Sequence, residues 1–461
     1  MRWQRLAPVG LLLATLGLLG LGVVGPPTAD GGPRLSPGIP VLLAAAAVIW
    51  WWQRRLGAVL GLLAVAVVVV ASVGAGLGPD LIGERGVPVA VARWVQAVGL
   101  AVAAYALVRR LVVGSPAAVS ERPRRDRSHV LQIVGLLALS AIGAELLAAY
   151  GDNTGDPGGI AFALVFFGAL YGAPALLARE LARRLGWGWP SMLLLFAALG
   201  TAEAALIDQS LFSVDYYGYE GWEANREPTL ISALGFSGYN AYSFIVGHII
   251  FSFGAPVALA EAWVPVRARK PWLGPVGTVF AAVAYIVAVL FIVSDPESQS
   301  GSPSQLIGSA GVVGVLVLVA ALVGRRRRTV ETPHGSRELS LWVVFAVALV
   351  CAVIPDLVPA TWLGVGISVT TMAVFGAAIL LASRHRVWTL RHAAAVAAGC
   401  LCVRGLMAFT YFPLLGDVAP GPKYAHNVVM LGAVLLAAWV AVRGSRAESA
   451  LPALRPRWRV R

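Results

Sequence analysis

Residues 190–211 read PSMLLLFAALGTAEAALIDQSL, and residues 241–264 read AYSFIVGHIIFSFGAPVALAEAWV. Each run is long and apolar enough for one helix to cross a hydrocarbon core of about 30 Å. Lipid offers the backbone no hydrogen-bond partner, so an isolated spanning segment of this kind must be helical. Glu203, Asp208 and His248 interrupt the runs or stand at their edges. Ionisable groups inside apolar helices are expensive and usually kept for a purpose. The stretch Thr201 to Glu261, two helices and the loop between them, is therefore the part of the chain that most needs explaining.

Similar runs extend in both directions from it. They fall at 7–24, 38–52, 56–77, 87–108, 130–150, 159–178, 273–293, 306–323, 341–354, 362–382, 393–411 and 428–442. The sequence thus predicts an all-α fold, a polytopic transmembrane helix bundle of about fourteen spans with the N- and C-termini cytoplasmic. Composition agrees: 58% of residues are hydrophobic, 13% are charged and the mean hydropathy is +0.77. The first run reads as an uncleaved span, because Val23-Val24-Gly25-Pro26-Pro27 is a poor cleavage site. Orientation follows from the distribution of basic residues. With the N-terminus inside, 30 of the 36 Lys and Arg fall on the cytoplasmic side.

Four regions result: a four-span segment (1–108), a basic linker (109–129), a ten-span bundle (130–443) and a basic tail (444–461). The net charge of +13 collects at 122–127, 325–328 and 455–461. There it would meet the lipid bilayer and its anionic lipid headgroups. Nucleic acid is not expected, since these runs lack interleaved aromatics and no soluble domain carries them. Cys351, Cys400 and Cys402 all lie in apolar runs with no metal or disulfide spacing. No metal or cofactor motif occurs. His129, His334, His385 and His392 fall in cytoplasmic segments or at helix ends and read as solvated.

The outward segments are acidic, and the longest, 212–240, carries Tyr216, Tyr217, Tyr219, Trp222 and Tyr239. A loop of that length is usually functional or disordered, and its aromatics argue against disorder. It is expected to lie over the outer membrane face as a partial lid. Candidate site residues are Glu145, Glu203, Asn240, His248, Ser252 and Arg404. Asn240, Phe244, His248 and Ser252 recur every four residues and share one helix face. At ordinary helical pitch Glu203 and Asp208 stand about 140° apart, which separates them. Arg404 needs a carboxylate, a carbonyl cluster or water, with Glu145 or Glu203 as possible partners. Glu261 is expected at the surface near Arg267 and Arg269. The segments Tyr171-Gly172-Ala173-Pro174 and Phe253-Gly254-Ala255-Pro256, each after a helix containing Ala-Glu, suggest an internal parallel repeat.

Phe244-x-x-x-His248, after a helix carrying Ala202-Glu203, resembles the second motif of the CPBP (Abi) intramembrane proteases. That family has Glu-Glu-x-x-x-Arg on the preceding helix. Here Ile207 stands where the Arg would be, and no third His-containing motif follows. The resemblance implies Glu203 as the water-activating carboxylate and His248 as an oxyanion or orienting group. In overall look the chain is similar to many-pass membrane proteins of high-GC bacteria, which implies the bacterial inner membrane. Three functions are expected from these residues: a transporter- or flippase-like protein with an outward polar site, a membrane-embedded hydrolase, or a scaffold whose polar residues are interhelical glue.

Overall fold

The computed structural model describes residues 6–24, 36, 38–51, 55–74, 80–81, 85–112, 128–151, 153–325 and 338–444. It is an all-α bundle: the sheet among these residues is one hairpin of two-residue strands, Leu230–Ile231 against Phe236–Ser237. Ten of the described helices are long and apolar enough to cross a membrane, the character of a multi-pass membrane protein. The basic stretches at 122–127 and 455–461, and most of 325–328, lie outside the described residues. The chain divides into two compact units, Met1–Arg124 and Arg125–Arg461.

The first unit contains α1 (Leu6–Val24), α2 (Gly38–Trp51), α3 (Arg55–Gly74) and α4 (Val87–Val112). Leu11, Leu18, Leu42, Ile49 and Leu107 fill its centre. Between helices in lipid the hydrophobic drive is weak, so close approach at small residues takes over. A Cβ on Gly99 of α4 would stand 2.3 Å from the backbone nitrogen of Ala14 in α1. Arg93 is buried in a polar chain. Its Nε donates to Asp80 at 2.7 Å and its NH1 to Gln96 at 2.9 Å. Gln96 in turn donates to Ser72 at 2.7 Å.

The second unit begins with α5 (His129–Leu146), α6 (Pro157–Arg184), α7 (Trp189–Ile207), α8 (Gly238–Trp263), α9 (Pro275–Val293) and α10 (Pro303–Arg325). It ends with α11 (Leu341–Leu357), α12 (Trp362–His385), α13 (Leu390–Met407) and α14 (Pro420–Gly444). One core, including Leu146, Leu259, Leu401 and Val434, joins α5, α8, α13 and α14. A second, including Leu136, Leu170, Phe196, Phe253 and Val257, joins α5 through α8. Few residues of α10 and α12 are fully buried within the protein.

Helices α5 to α8 are not uniform. Each contains a π-helical turn: Ile142–Leu146, Gly168–Gly172, Glu203–Ile207 and His248–Gly254. Such wide turns are rare and gather at functional sites. Two of them have a cause in the sequence. Pro174 and Pro256 follow the turns of α6 and α8 directly. A proline lacks the N–H that would bond the fourth residue back and crowds that carbonyl. The turn before it therefore widens. The other two lie at the ends of α5 and α7, closed by Leu147 N donating to Ile142 O at 2.7 Å and Asp208 N to Glu203 O at 3.0 Å. Each is soon followed by a left-handed residue, Ala149 (φ 53°) and Gln209 (φ 52°), which ends the helix.

The hairpins α5–α6 and α7–α8 are thus built alike. The first helix of each ends in a π turn bearing a glutamate, and the second has a π turn running into Gly-Ala-Pro. Arg179 and Glu261 stand five residues beyond Pro174 and Pro256, and Arg179 Nε donates to Glu261 Oε1 at 3.0 Å. Matching residues that touch each other are what a two-fold relation between hairpins produces. Glu261, expected at the surface, is fully buried there. It accepts from Arg179 and Arg183 rather than pairing with Arg267 or Arg269.

Candidate functional site

The π turns carry the candidate residues. Glu145 lies in the turn ending α5, Glu203 in the turn ending α7, and His248 and Ser252 in the turn of α8. The helices come very close here. A Cβ on Gly143 would stand 2.3 Å from the carbonyl oxygen of Phe251, and one on Gly200 would stand 3.1 Å from the His248 Cβ.

Glu145 is held on both oxygens: the Tyr171 hydroxyl donates to Oε1 at 2.8 Å, and the Tyr150 hydroxyl donates to Oε2. Asp208 Oδ1 accepts from Ser210 N at 3.0 Å and Ser210 Oγ at 2.9 Å. Glu203 is different. It is 2% exposed, and among the described residues no hydrogen bond or ion pair reaches its carboxyl group. Glu145, Glu203 and Asp208 are close enough to feel one another's charge. The π turn narrows the angle expected between Glu203 and Asp208. The expectation assumed an ordinary helical pitch, whereas the bond between these two residues spans five positions and brings them toward one side.

His248 Nδ1 and Ser252 Oγ share a hydrogen bond of 2.9 Å. The imidazole lies beside Tyr171, with ring centroids 5.2 Å apart, and beside Phe253 at 6.0 Å. No hydrogen bond joins His248 to Glu203 among the described residues. Asn240 stands apart, two turns along α8 in its first turn, with its side-chain nitrogen buried and unpaired.

Arg404 makes no ion pair with Glu145 or Glu203 among the described residues. Its NH2 donates to the Ala144 carbonyl at 2.9 Å, and its guanidinium lies 4.8 Å from the Phe251 ring centroid. It is one of several side chains that satisfy the carbonyls left open at helix ends. His426 Nε2 bonds to Leu146 O at 2.7 Å and Tyr411 bonds to Ala148 O. At the end of α13, Lys423 Nζ and Asn427 Nδ2 both donate to Ala408 O, at 2.7 and 3.0 Å. His392, expected to be solvated, is likewise buried and completes the capping box that starts α13. Sequence reading missed the partners of Arg404, Tyr411 and His426 because each is a backbone carbonyl 260 to 280 positions away.

The loop after α7 packs back on α7 and α8, with Phe212 and Phe236 joining Ala204, Ala205 and Phe244 in one cluster. Tyr216 stacks on Trp222 with centroids 4.9 Å apart, and Trp222 stacks on Phe244 of α8 at 6.0 Å. Trp222 Nε1 donates to Ser213 O at 3.2 Å. Tyr217 donates to Asp295 at 3.1 Å, and Gln305 Nε2 donates to Leu234 O at 2.8 Å, tying the loop to the segments around α9 and α10. Burial pushes the Tyr216 hydroxyl well above its ordinary pKa, and the charges of Asp208, Glu145 and Glu203 add to that. Phe244 also packs against the cluster that holds Ala204 and Ala205, in the π turn that bears Glu203.

The arrangement is a group of three acidic side chains, of which Glu203 is the one without a hydrogen bond among the described residues. Among the described residues Glu145, Glu203 and Asp208 make no ion pair. No three His, Cys, Asp or Glu side chains there gather as metal ligands. Compared with family models, curated proteins and solved structures, the chain matches none.

Proposed function

We propose that the chain is a transporter-like protein of fourteen spans, with both termini cytoplasmic, in the inner membrane of a bacterium. Its basic segments would rest on anionic headgroups. The region around Glu203 opens outward and is its loading site. One observation carries this reading: Glu203 is buried in an apolar bundle and, among the described residues, makes no hydrogen bond or ion pair. A desolvated carboxylate cannot stay ionised and unpaired. It must hold a proton or take up a cation, and Glu203, which has no internal partner, is the group free to do so. Exchangeable charge at a lidded intramembrane site is what a coupled carrier requires.

The hydrolase reading uses the same two residues differently, with Glu203 activating a water beside His248. It is less well supported, because His248 is engaged with Ser252 and the ring of Tyr171 rather than with Glu203. The scaffold reading accounts for Arg404 and His426, which cap helix ends, but leaves Glu203 without a role.

The test is modification by a hydrophobic carbodiimide, which reacts with protonated carboxyl groups in apolar sites. In native membranes Glu203 is labelled and identified by peptide mass spectrometry, and raising the pH slows the reaction. If Glu203 stays unmodified across the pH range while other carboxyl groups react, the proposal fails.

A further inference from the structure

Helix α8 changes character at its π turn. From Ser252 to Ala262 every residue is buried, whereas from Ala241 to Phe251 none is. This outer half is not simply turned to lipid, since a lipid-facing helix alternates covered and open sides. Only Ser243 in it is exposed, and the rest are partly covered. Three helices flank it. A Cβ on Gly200 of α7 would stand 3.1 Å from Ile245 O, and one on Gly238 would stand 2.8 Å from the Trp362 ring of α12. The Tyr171 ring of α6 lies 5.2 Å from that of His248. The half-helix is thus met on several sides and sealed on none, which is the mark of low local stability. The like turn of α6 shows no such step, for Ala163 above it and Ala173 to Leu176 below it are all buried.

The junction has the parts of a hinge. The turn His248–Gly254 holds seven residues, against five in each of the other π turns. Pro256 has no N–H to offer the Ser252 carbonyl. A Cβ on Gly254 would stand 2.6 Å from Ile249 O, so the wide turn requires glycine there. Below the turn, Glu261 anchors the inner half through its bonds from Arg179 and Arg183. Above it, the outer half is fastened to the loop hairpin. Tyr239 N donates to Thr229 Oγ1 at 3.0 Å, and Asn240 N donates to Ser237 Oγ at 3.2 Å. Its residues Ala241, Phe244 and Ile245 pack against the cluster that holds Ala204 and Ala205, the neighbours of Glu203. We infer that the outer half of α8, carrying the hairpin 230–237 with it, is a gate that swings about the turn His248–Gly254 and opens the Glu203 turn to water. The inference rests on the reading of Glu203 as an exchange site and supplies its route of access. Opening gives up the bond from Gln305 Nε2 to Leu234 O at 2.8 Å and leaves the Glu261 anchor closed.

The test is hydrogen–deuterium exchange of the full chain in phosphatidylcholine nanodiscs, read by peptide mass spectrometry. Residues 241–251 are expected to exchange at least about tenfold faster than 255–262. They should also outpace 139–147 of α5, which meets α8 at the same level through Gly143 and Phe251. Gln305→Ala, which removes the tie to the hairpin, should raise exchange of 241–251 about two- to tenfold and leave 255–262 unchanged. Gly254→Ala crowds Ile249 O in the closed arrangement, and opening relieves it, so exchange of 241–251 should rise at least about fivefold. Equal protection on the two sides of Ser252 in the wild-type chain overturns the inference without any variant. So does a rise on both sides alike in Gln305→Ala, or no rise in Gly254→Ala. Carbodiimide labelling of Glu203 on the same preparations should quicken in step with exchange of 241–251, and labelling indifferent to Gln305→Ala overturns the gate as its route. Uneven exchange with Glu203 never labelled keeps the moving half-helix and removes the exchange site, whereas labelling with even exchange does the reverse.

Discussion

The buried ion cluster around Glu261 gives the sharpest expectation about stability. Glu261 is fully buried and accepts three charge-assisted bonds: from Arg179 Nε at 3.0 Å, Arg183 Nε at 2.8 Å and Arg183 NH2 at 2.6 Å. In Glu261→Gln the shape persists but the charge is gone. Arg179 keeps Glu180 at 2.9 Å, the Ala268 carbonyl at 2.7 Å and the Trp272 ring at 3.5 Å. Arg183 keeps little beyond a 3.4 Å contact to Trp187 O. The variant leaves a cation buried without its carboxylate, a loss of about 3–5 kcal/mol. Thermal unfolding in detergent, followed by tryptophan emission, should show a large fall in midpoint, with Trp272 as a local reporter. Adding Arg183→Met removes the stranded charge. The double variant should then be more stable than the sum of the two single losses by about 1 kcal/mol or more. A midpoint change in Glu261→Gln no larger than that of an exposed substitution, or strict additivity, would refute the account of this cluster.

Other expectations concern the site's frame and lid. Gly143→Ala should destabilise the protein by about 1–3 kcal/mol, although alanine is the better helix former, because the new Cβ meets the Phe251 carbonyl; thermal melts check the sign. Arg404→Met should cost about 1–3 kcal/mol by leaving the Ala144 carbonyl unpaired. Hydrogen exchange should then rise at the end of α5, and a loss of carbodiimide labelling with unchanged exchange would assign Arg404 to the site instead. Burial, then the neighbouring carboxylates, raise the Tyr216 and Tyr217 hydroxyls above their ordinary pKa, so the folded chain favours their neutral form. The lid is therefore fully stable below about pH 10, the ordinary phenol value, and weakens as pH rises beyond it. Ultraviolet titration should show a late phenolate component that Tyr216→Phe and Tyr217→Phe together remove.

Much of the fold was legible because crossing a membrane imposes a length and a composition that a single sequence displays openly. Residues 190–211 and 241–264 became α7 and α8 with their ends shifted by a few positions. The candidate site was legible only in its residue types. Glu145, Glu203, His248 and Ser252 stood out as polar groups in apolar helices, but spacing arguments assumed one helical pitch throughout. The π turns broke that assumption and returned Asp208 to the neighbourhood of Glu203. Burial of Glu261 was illegible for a different reason. Its partners come from a helix some eighty positions earlier, and only the packing of two like hairpins brings them together. Arg404 was recognised as needing compensation, yet a backbone carbonyl at the end of another helix leaves no trace in sequence.

The central claim is that Glu203, buried and without a hydrogen-bond partner among the described residues, carries an exchangeable proton. Infrared difference spectroscopy of the chain in membranes tests it most directly, by following the carbonyl stretch of neutral carboxylic acids through a pH titration. The account predicts a neutral-acid band at neutral pH that disappears on alkalinisation and is missing in Glu203→Gln. A wild-type spectrum with every carboxyl group already ionised at neutral pH, or a neutral-acid band unchanged in Glu203→Gln, would contradict it.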